Sequence, residues 1–161
     1  MGRGAAADDI LARTKPQIEE MPRGADRDCY HARWADQCAY HQIHAGPVPR
    51  LSAAVRLYRS IDARSPATFA LFRRDHGVAY CHWKLGDHRR AVDHARAAVA
   101  HAGDAGLLRF RAMALELLAC VEPREARVLR QRASRIAREL ELDDVADMTC
   151  TQPRNAGSSD V

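Results

Sequence analysis

Residues 66–102 read PATFALFRRDHGVAYCHWKLGDHRRAVDHARAAVAHA, and they carry the clearest fold signal of the chain. Each half is long enough for a helix, and the sequence Leu-Gly-Asp at 85–87 separates the two halves. Glycine favours the left-handed conformation of a tight turn, and the aspartate that follows it is a good N-cap. We therefore predict helices over 66–85 and 88–102, joined by a turn so short that they must lie antiparallel.

The apolar residues of these two segments recur with the helical period of about 3.6 residues. In the second segment, small apolar side chains fall on one side of the helix at Ala91, Ala95 and Ala98. The first segment is apolar on two sides, which predicts a helix packed between neighbours.

Similar periodic segments extend in both directions along the chain. They predict four further main helices and one weaker helix, at 28–44, 49–61, 105–120, 123–141 and 8–20. We divide the chain into a partly helical N-terminal extension at 1–27, a helical domain at 28–148 and a polar, disordered tail at 149–161.

The junctions carry their own signals. Ser65 before Pro66 and Glu122 before Pro123 have the composition of helix starts, because proline at the first helical position loses no hydrogen bond. A second glycine-aspartate pair at Gly103 predicts another turn like the one at 85–87.

The composition argues against several classes of protein. Hydrophobic residues make up 47% of the chain, which is too many for a disordered protein. No run of eighteen apolar residues occurs, and the N-terminus turns polar too early for a secretory signal. The five cysteines form no CxxC pair, which favours reduced thiols. We expect a cytoplasmic protein with no membrane partner, whose net charge of +4 permits an acidic partner.

The helix 66–85, its turn and the helix 88–102 together resemble one unit of a tetratricopeptide (TPR) repeat. Ala79 occupies the small-residue position of the first helix, and Ala91 and Ala98 occupy those of the second. A shift of 35 residues places three further alanines at the same positions: Ala114, Ala126 and Ala133. Residues 28–61 form a degenerate first unit.

This resemblance implies an all-α fold of antiparallel helical hairpins stacked as a short, right-handed TPR-like array; a plain helical bundle is the alternative. The chain also resembles the C-terminal TPR-like half of actinobacterial helix-turn-helix regulators. Residues 1–27 are too short for their DNA-binding domain, so we expect no direct DNA binding. A protein-binding accessory or regulatory role is the first hypothesis, and the ligand-sensing part of a transcriptional regulator is the second.

In a TPR-like register, the first helix of each unit lines a concave groove. Its predicted partner-binding residues are Arg73, His76, Tyr80, Trp83 and Lys84 in the middle unit and Leu108, Arg111 and Leu115 in the third unit. Cations beside aromatic rings suit a protein or peptide that carries acidic groups. The alternative is that Tyr80 and Trp83 belong to the core. A second copy of the chain is also a candidate partner, because a three-unit array has two exposed ends.

Catalytic and metal sites are weakly indicated. Cys38, His41 and His44 are metal-ligand types, but Cys38 and His44 point about 120° apart on a helix. Asp75 and His82 share a helix face, and a carboxylate that orients an imidazole is half of a catalytic arrangement. A metalloprotein or small enzyme therefore remains the third hypothesis; we predict no enzyme activity, no cofactor and no metal.

The segment 123–141 has an arginine-rich face, which could contact phosphate groups. Glutamates flank this face and aromatic residues are absent from it. We expect a solvated helix face whose charges pair three or four residues apart.

Overall fold

The computed structural model describes residues 3–44 and 48–141, and over these residues it contains seven helices and no strand. The helices are α1 (Arg3–Glu20), α2 (Ala25–His44), α3 (Leu51–Arg59), α4 (Thr68–Lys84), α5 (His88–Asp104), α6 (Leu108–Val121) and α7 (Ala126–Glu139). Each corresponds to a helix predicted from the sequence, and the all-α prediction is confirmed. The tail predicted at 149–161 lies outside the described residues.

Helix α4 is the centre of the packing. Every helix contacts the next along the chain, and α4 also contacts α2 and α6. The prediction that this segment lies between neighbours is therefore confirmed. Its two apolar sides serve different partners, because Val78 and Cys81 pack in a cluster with α2 and α3 while Ala79 packs with α5, α6 and α7.

Small residues allow the helices to approach closely. The buried face of α5 consists of Ala91, Ala95, Ala98 and Ala102, as its helical period predicted. Gly77 of α4 meets the ring of Tyr58 so closely that an added Cβ would lie 2.3 Å from the ring. Any larger side chain would force α3 and α4 apart, so this glycine is required by packing.

Two predicted turns differ in outcome. Gly86 has φ +80°, and the carboxylate of Asp87 accepts a hydrogen bond from the Arg90 backbone N–H at 3.2 Å, as expected for a left-handed turn followed by an N-cap. The turn predicted at Gly103 was wrong, since α5 continues to Asp104 and the positive φ of 64° is at Gly106. Gly106 ends the helix because its left-handed conformation lets the Gly106 N–H donate to the Gly103 carbonyl at 3.0 Å and the Leu107 N–H donate to the Ala102 carbonyl at 2.9 Å.

The two predicted proline starts are also displaced. Helix α4 begins at Thr68, because the buried Ser65 hydroxyl donates to the carboxylate of Asp28 and accepts from the Ala67 N–H. Helix α7 begins at Ala126, and the Glu122 carboxylate accepts hydrogen bonds from Arg96 of α5 at 2.7 and 2.8 Å. In both cases a side chain that resembles a local cap is used for a long-range contact.

The N-terminal extension packs on the rest of the molecule. Helix α1 contacts α2, and its Ile18 is buried. The indole N–H of Trp34 donates to the Leu11 carbonyl at 2.9 Å, and the Lys15 ammonium lies 5.4 Å from the centre of the same indole ring. One tryptophan thus fixes two turns of α1 against α2.

Candidate functional site

The five predicted groove residues of the middle unit all lie on α4, and those of the third unit lie on α6. Helix α4 contacts both α2 and α6. We call the surface of Arg73, Tyr80, Trp83 and Lys84 the α4 stripe.

Arg73 joins three helices at one end of the α4 stripe. Its guanidinium lies 3.3 Å from the carboxylate of Asp36 on α2. The same group lies 5.2 to 5.8 Å from the ring centres of Phe69 and Phe72 on α4 and Phe110 on α6. A guanidinium held on aromatic faces keeps its charge in a fixed place, which suits recognition of an anionic group.

Tyr80, Trp83 and Lys84 form the other end of the stripe. The Lys84 ammonium lies 4.1 Å from the centre of the Trp83 ring and 5.6 Å from that of Tyr80, whose ring centres are 6.1 Å apart. Both rings are half-buried and pack against the core, while Lys84 is exposed. The core interpretation of Tyr80 and Trp83 therefore holds for the part of each ring that packs inward. The groove interpretation concerns the part that stays exposed.

His76 lies on the same helix but has a different environment. Its ring packs 5.3 Å from that of Phe72, and its Nε2 is buried without a hydrogen-bond partner. Burial, assisted by the nearby Arg73 charge, lowers the pKa of His76 to about 4. At neutral pH it is an uncharged part of the packing and contributes no positive charge to the stripe.

The three α6 residues have separate surroundings. Leu108 is exposed, whereas Leu115 is only 4% exposed and packs in the cluster that contains Leu129 of α7. Arg111 is exposed, and its side chain lies beside Gly103 at the end of α5. The structure therefore assigns Leu115 to the core and does not bring Arg111 beside the α4 stripe.

A second polar site lies between α4 and α5, and of its residues the sequence analysis singled out only Asp75 and His82. Asp75 is 5% exposed, yet its carboxylate has three partners. One oxygen accepts from the Arg74 guanidinium at 2.9 Å and from His94 Nδ1 at 2.8 Å, and the other lies 3.2 Å from His101 Nε2. We call Asp75, His82, His94 and His101 the interhelix cluster. Its carboxylate orients two half-buried imidazoles from the facing helix.

His82 extends this cluster towards α3. Its ring lies parallel to that of His94 with centres 6.2 Å apart, and its Nε2 is 3.4 Å from an Arg59 guanidinium nitrogen. Its Nδ1 lies 3.6 Å from the Asp87 carboxylate, beyond hydrogen-bonding distance. Burial is the main cause that lowers the pKa of His82, and Arg59 and His94 add to it. The predicted Asp75–His82 pairing is replaced by Asp75 contacts across the helix interface.

A sequence signal for this cluster did exist. His94 and His101 are seven residues apart, which places them on one side of α5 with the buried Ala98 between them. An imidazole pair beside a buried alanine indicates that the side facing α4 is partly polar. The carboxylate that meets it cannot be chosen from spacing, because Asp75 is on another helix.

The histidines of α2 form ring contacts. His31 stacks on Trp34 with ring centres 5.7 Å apart, and Tyr40 packs against His44 at 4.3 Å. In the part of the chain that the structure describes, no group of three or more His, Cys, Asp or Glu side chains is arranged to hold a metal ion. Within the same ranges, no helix combines the length and apolar character needed to cross a bilayer.

Comparison of the chain with family models, with curated proteins and with solved structures finds no match.

Proposed function

We propose that the protein is a binding module whose α4 stripe recognises an acidic segment of a partner protein. The observation that carries the proposal is the exposed Lys84 ammonium held over the half-buried rings of Trp83 and Tyr80. Tryptophan and tyrosine are enriched in interface hot spots, and here a lysine charge lies at the rim of both rings. Arg73, held on three phenylalanine rings and paired with Asp36, lies on the same helix, and a carboxylate of the partner would compete with Asp36 for its guanidinium.

The TPR-like arrangement is part of this proposal. It is supported by the contacts of α4 with both α2 and α6 and by the alanines that line the interfaces between successive helices. Stacked hairpins of this kind hold a fixed surface, so that the side chains of the groove lose little entropy when a partner binds. In this proposal the protein acts in the cytoplasm as an accessory or regulatory protein.

A partner segment would present carboxylates to Lys84 and Arg73 and an apolar side chain to the exposed edge of Trp83. Residues 73 and 84 are eleven positions apart on a helix, which corresponds to about 16 Å. An extended peptide spans that distance with about five residues. A second copy of this chain fits the same chemistry only if it offers an acidic segment.

Ligand sensing is a second candidate, favoured by a cleft of about 590 Å³ between α1, α2 and the α3–α4 connection. Polar and charged side chains line it, among them Arg23, Arg27, His31 and Asp62. A small molecule that co-purifies with the wild-type chain, and is lost from an Arg27→Ala variant, would support this second role.

The test of the α4 stripe compares two charge reversals. The wild-type chain, Lys84→Glu and Arg89→Glu serve as baits in a nuclease-treated extract of the native cells, and retained proteins are quantified by mass spectrometry. Lys84 and Arg89 are both exposed, but only Lys84 belongs to the stripe. Both variants should fold, which circular dichroism checks.

We expect a protein that is retained by wild type and by Arg89→Glu and is depleted at least tenfold by Lys84→Glu. The affinity for a peptide of that partner's acidic segment should be similar for wild type and Arg89→Glu and lower for Lys84→Glu. Equal retention by all three baits, or by none, would reject the α4 stripe as a binding surface.

A further inference from the structure

The outward face of α7 carries charge that the fold does not use. Its core side consists of Leu129, Ala133 and Ala137, which are buried. On the opposite side, four arginines fall within an arc of about 140° around the helix axis: Arg127, Arg130, Arg135 and Arg138. The residues between them in this arc are the uncharged Ser134 and Gln131, and all six are exposed. We call these four arginines the α7 face.

The pairing expected from the sequence does not neutralise this face. Among the described residues, only one of the four arginines has a carboxylate within 4 Å. It is Arg130, which lies 3.8 Å from Glu116 of α6. Glu122 is bound by Arg96 of α5, and Glu125 and Glu139 project outside the arc. In the described part of the chain, Arg127 and Arg135 form neither an ion pair nor a hydrogen bond.

Such an arrangement is unfavourable for an isolated helix. Arg127 and Arg130, and likewise Arg135 and Arg138, are three residues apart, where like charges destabilise a helix by a few tenths of a kcal/mol each. The exposed side chains add nothing to the core. An external anion bound to this face would remove that repulsion.

We propose that the α7 face binds the phosphate backbone of nucleic acid. Guanidinium groups bind phosphate oxygens with two parallel hydrogen bonds, and serine and glutamine side chains add hydrogen bonds to the same oxygens. The four arginines extend over about 16 Å of helix, enough to follow several consecutive phosphates.

The composition of the face favours nucleic acid over an acidic protein. Protein interfaces depend on buried aromatic or aliphatic anchors, and the arc contains none. Interfaces with nucleic acid are polar and strongly positive, which is the composition of this arc. With no aromatic residue to stack on bases, the contact is independent of sequence. It needs no helix-turn-helix domain, so the expectation of no direct DNA binding, which rested on the shortness of residues 1–27, does not apply to it.

The test measures fluorescence anisotropy of labelled 20-base-pair DNA and RNA duplexes with the full chain at several salt concentrations. Arg127→Gln/Arg135→Gln removes two contact-free arginines of the α7 face. Arg89→Gln/Arg132→Gln is the matched control, since it removes the same charge from two exposed arginines outside the arc. Poly-glutamate is measured as a competing class of ligand.

Four phosphate contacts on duplex DNA should give a slope of log K against log salt of about −3.6, and the α7-face variant should reduce its magnitude by about 1.8. The control should keep the wild-type slope. The DNA and RNA duplexes reveal whether one backbone is preferred. Equal slopes for the two variants, tighter binding of poly-glutamate than of both duplexes, or no duplex binding at low salt would each overturn the proposal.

Discussion

The α4–α5 and α6–α7 interfaces join successive pairs of helices, yet they are built from opposite chemistry. A shift of 35 residues aligns the interhelix cluster of the first pair with apolar residues of the second. Asp75, His82, His94 and His101 correspond to Phe110, Leu117, Leu129 and Ile136. Leu117 and Leu129 are buried, and Phe110 and Ile136 pack against the same core. One pair is therefore joined by a hydrogen-bonded carboxylate and the other by aliphatic packing.

The two helix pairs share the spacing of their small residues but differ in the chemistry of the side chains between the helices. The same shift aligns Ala79 and Ala91 of the first pair with Ala114 and Ala126 of the second. The polar interface depends on one buried carboxylate and on the hydrogen bonds that it accepts. The apolar interface depends on filled volume, and the chain from 102 onwards contains no histidine. Three measurements test this difference between the two interfaces.

The largest effect should come from Leu117→Ala in the apolar interface. Leu117 is fully buried, so the substitution removes its transfer free energy and leaves a cavity. We expect a loss of about 3–5 kcal/mol in the free energy of unfolding, measured by urea denaturation. The loss should be equal at pH 7.5 and pH 5. A strongly pH-dependent loss would mean that the two interfaces are not chemically distinct.

Asp75→Asn should destabilise the polar interface by about 2–3 kcal/mol at pH 7.5. Asparagine keeps the shape of the side chain but removes the charge that attracts Arg74, His94 and His101. The same urea experiment measures the loss. As a control, Asp75→Leu/His94→Leu/His101→Leu removes the carboxylate together with both imidazoles. This triple variant should be more stable than Asp75→Leu alone, and the opposite order would show that the cluster does not act as a unit.

Acidification should weaken α4 and its neighbours while leaving α6–α7 intact. The folded state lowers the pKa of His76 to about 4 and also lowers that of His82. Both pKa values are near 6.5 in the unfolded chain, which therefore binds more protons below pH 6.5. The stabilisation is complete above that pH and is lost as the pH falls towards 4. For His76 alone the loss at pH 5 is about 2 kcal/mol.

Hydrogen exchange at pH 5 and 7.5 locates this loss. Protection should fall in α4 and α5 and remain higher in α6 and α7. His76→Leu should remove most of the pH dependence, whereas His88→Gln, at an exposed position, should leave it unchanged. If both variants showed the wild-type pH dependence, burial of His76 would not be its cause.

The sequence predicts the helices well because their signals are local. Gly86 and Asp87 form a turn and a cap within four residues, and the alanines of α5 mark its buried side by period alone. Starts at Ser65 and Glu122 were misplaced since both side chains bind residues at least 26 positions away. A local pattern cannot reveal that such a side chain has a distant partner.

For the site, too, the sequence predicts which residues of one helix lie together but not which residues meet between helices. Residues of the α4 stripe share one helix, so their proximity follows from spacing. The interhelix cluster requires knowledge of how α4 and α5 face each other, and Asp75 was therefore paired with a residue of its own helix. Arg73 likewise has its partner, Asp36, on α2. Leu115 resembled a groove residue because an apolar side chain has the same sequence signature in a groove and under a covering helix.

The Trp34 contact with α1 has a spectroscopic consequence. The chain contains two tryptophans, and they are in different surroundings. Trp34 has its indole N–H bound to the Leu11 carbonyl and its ring beside His31, while Trp83 lies under Lys84. Single-tryptophan forms of the chain would thus carry an intrinsic fluorophore at each of two places. Emission from the first follows the attachment of α1, and emission from the second follows occupation of the α4 stripe.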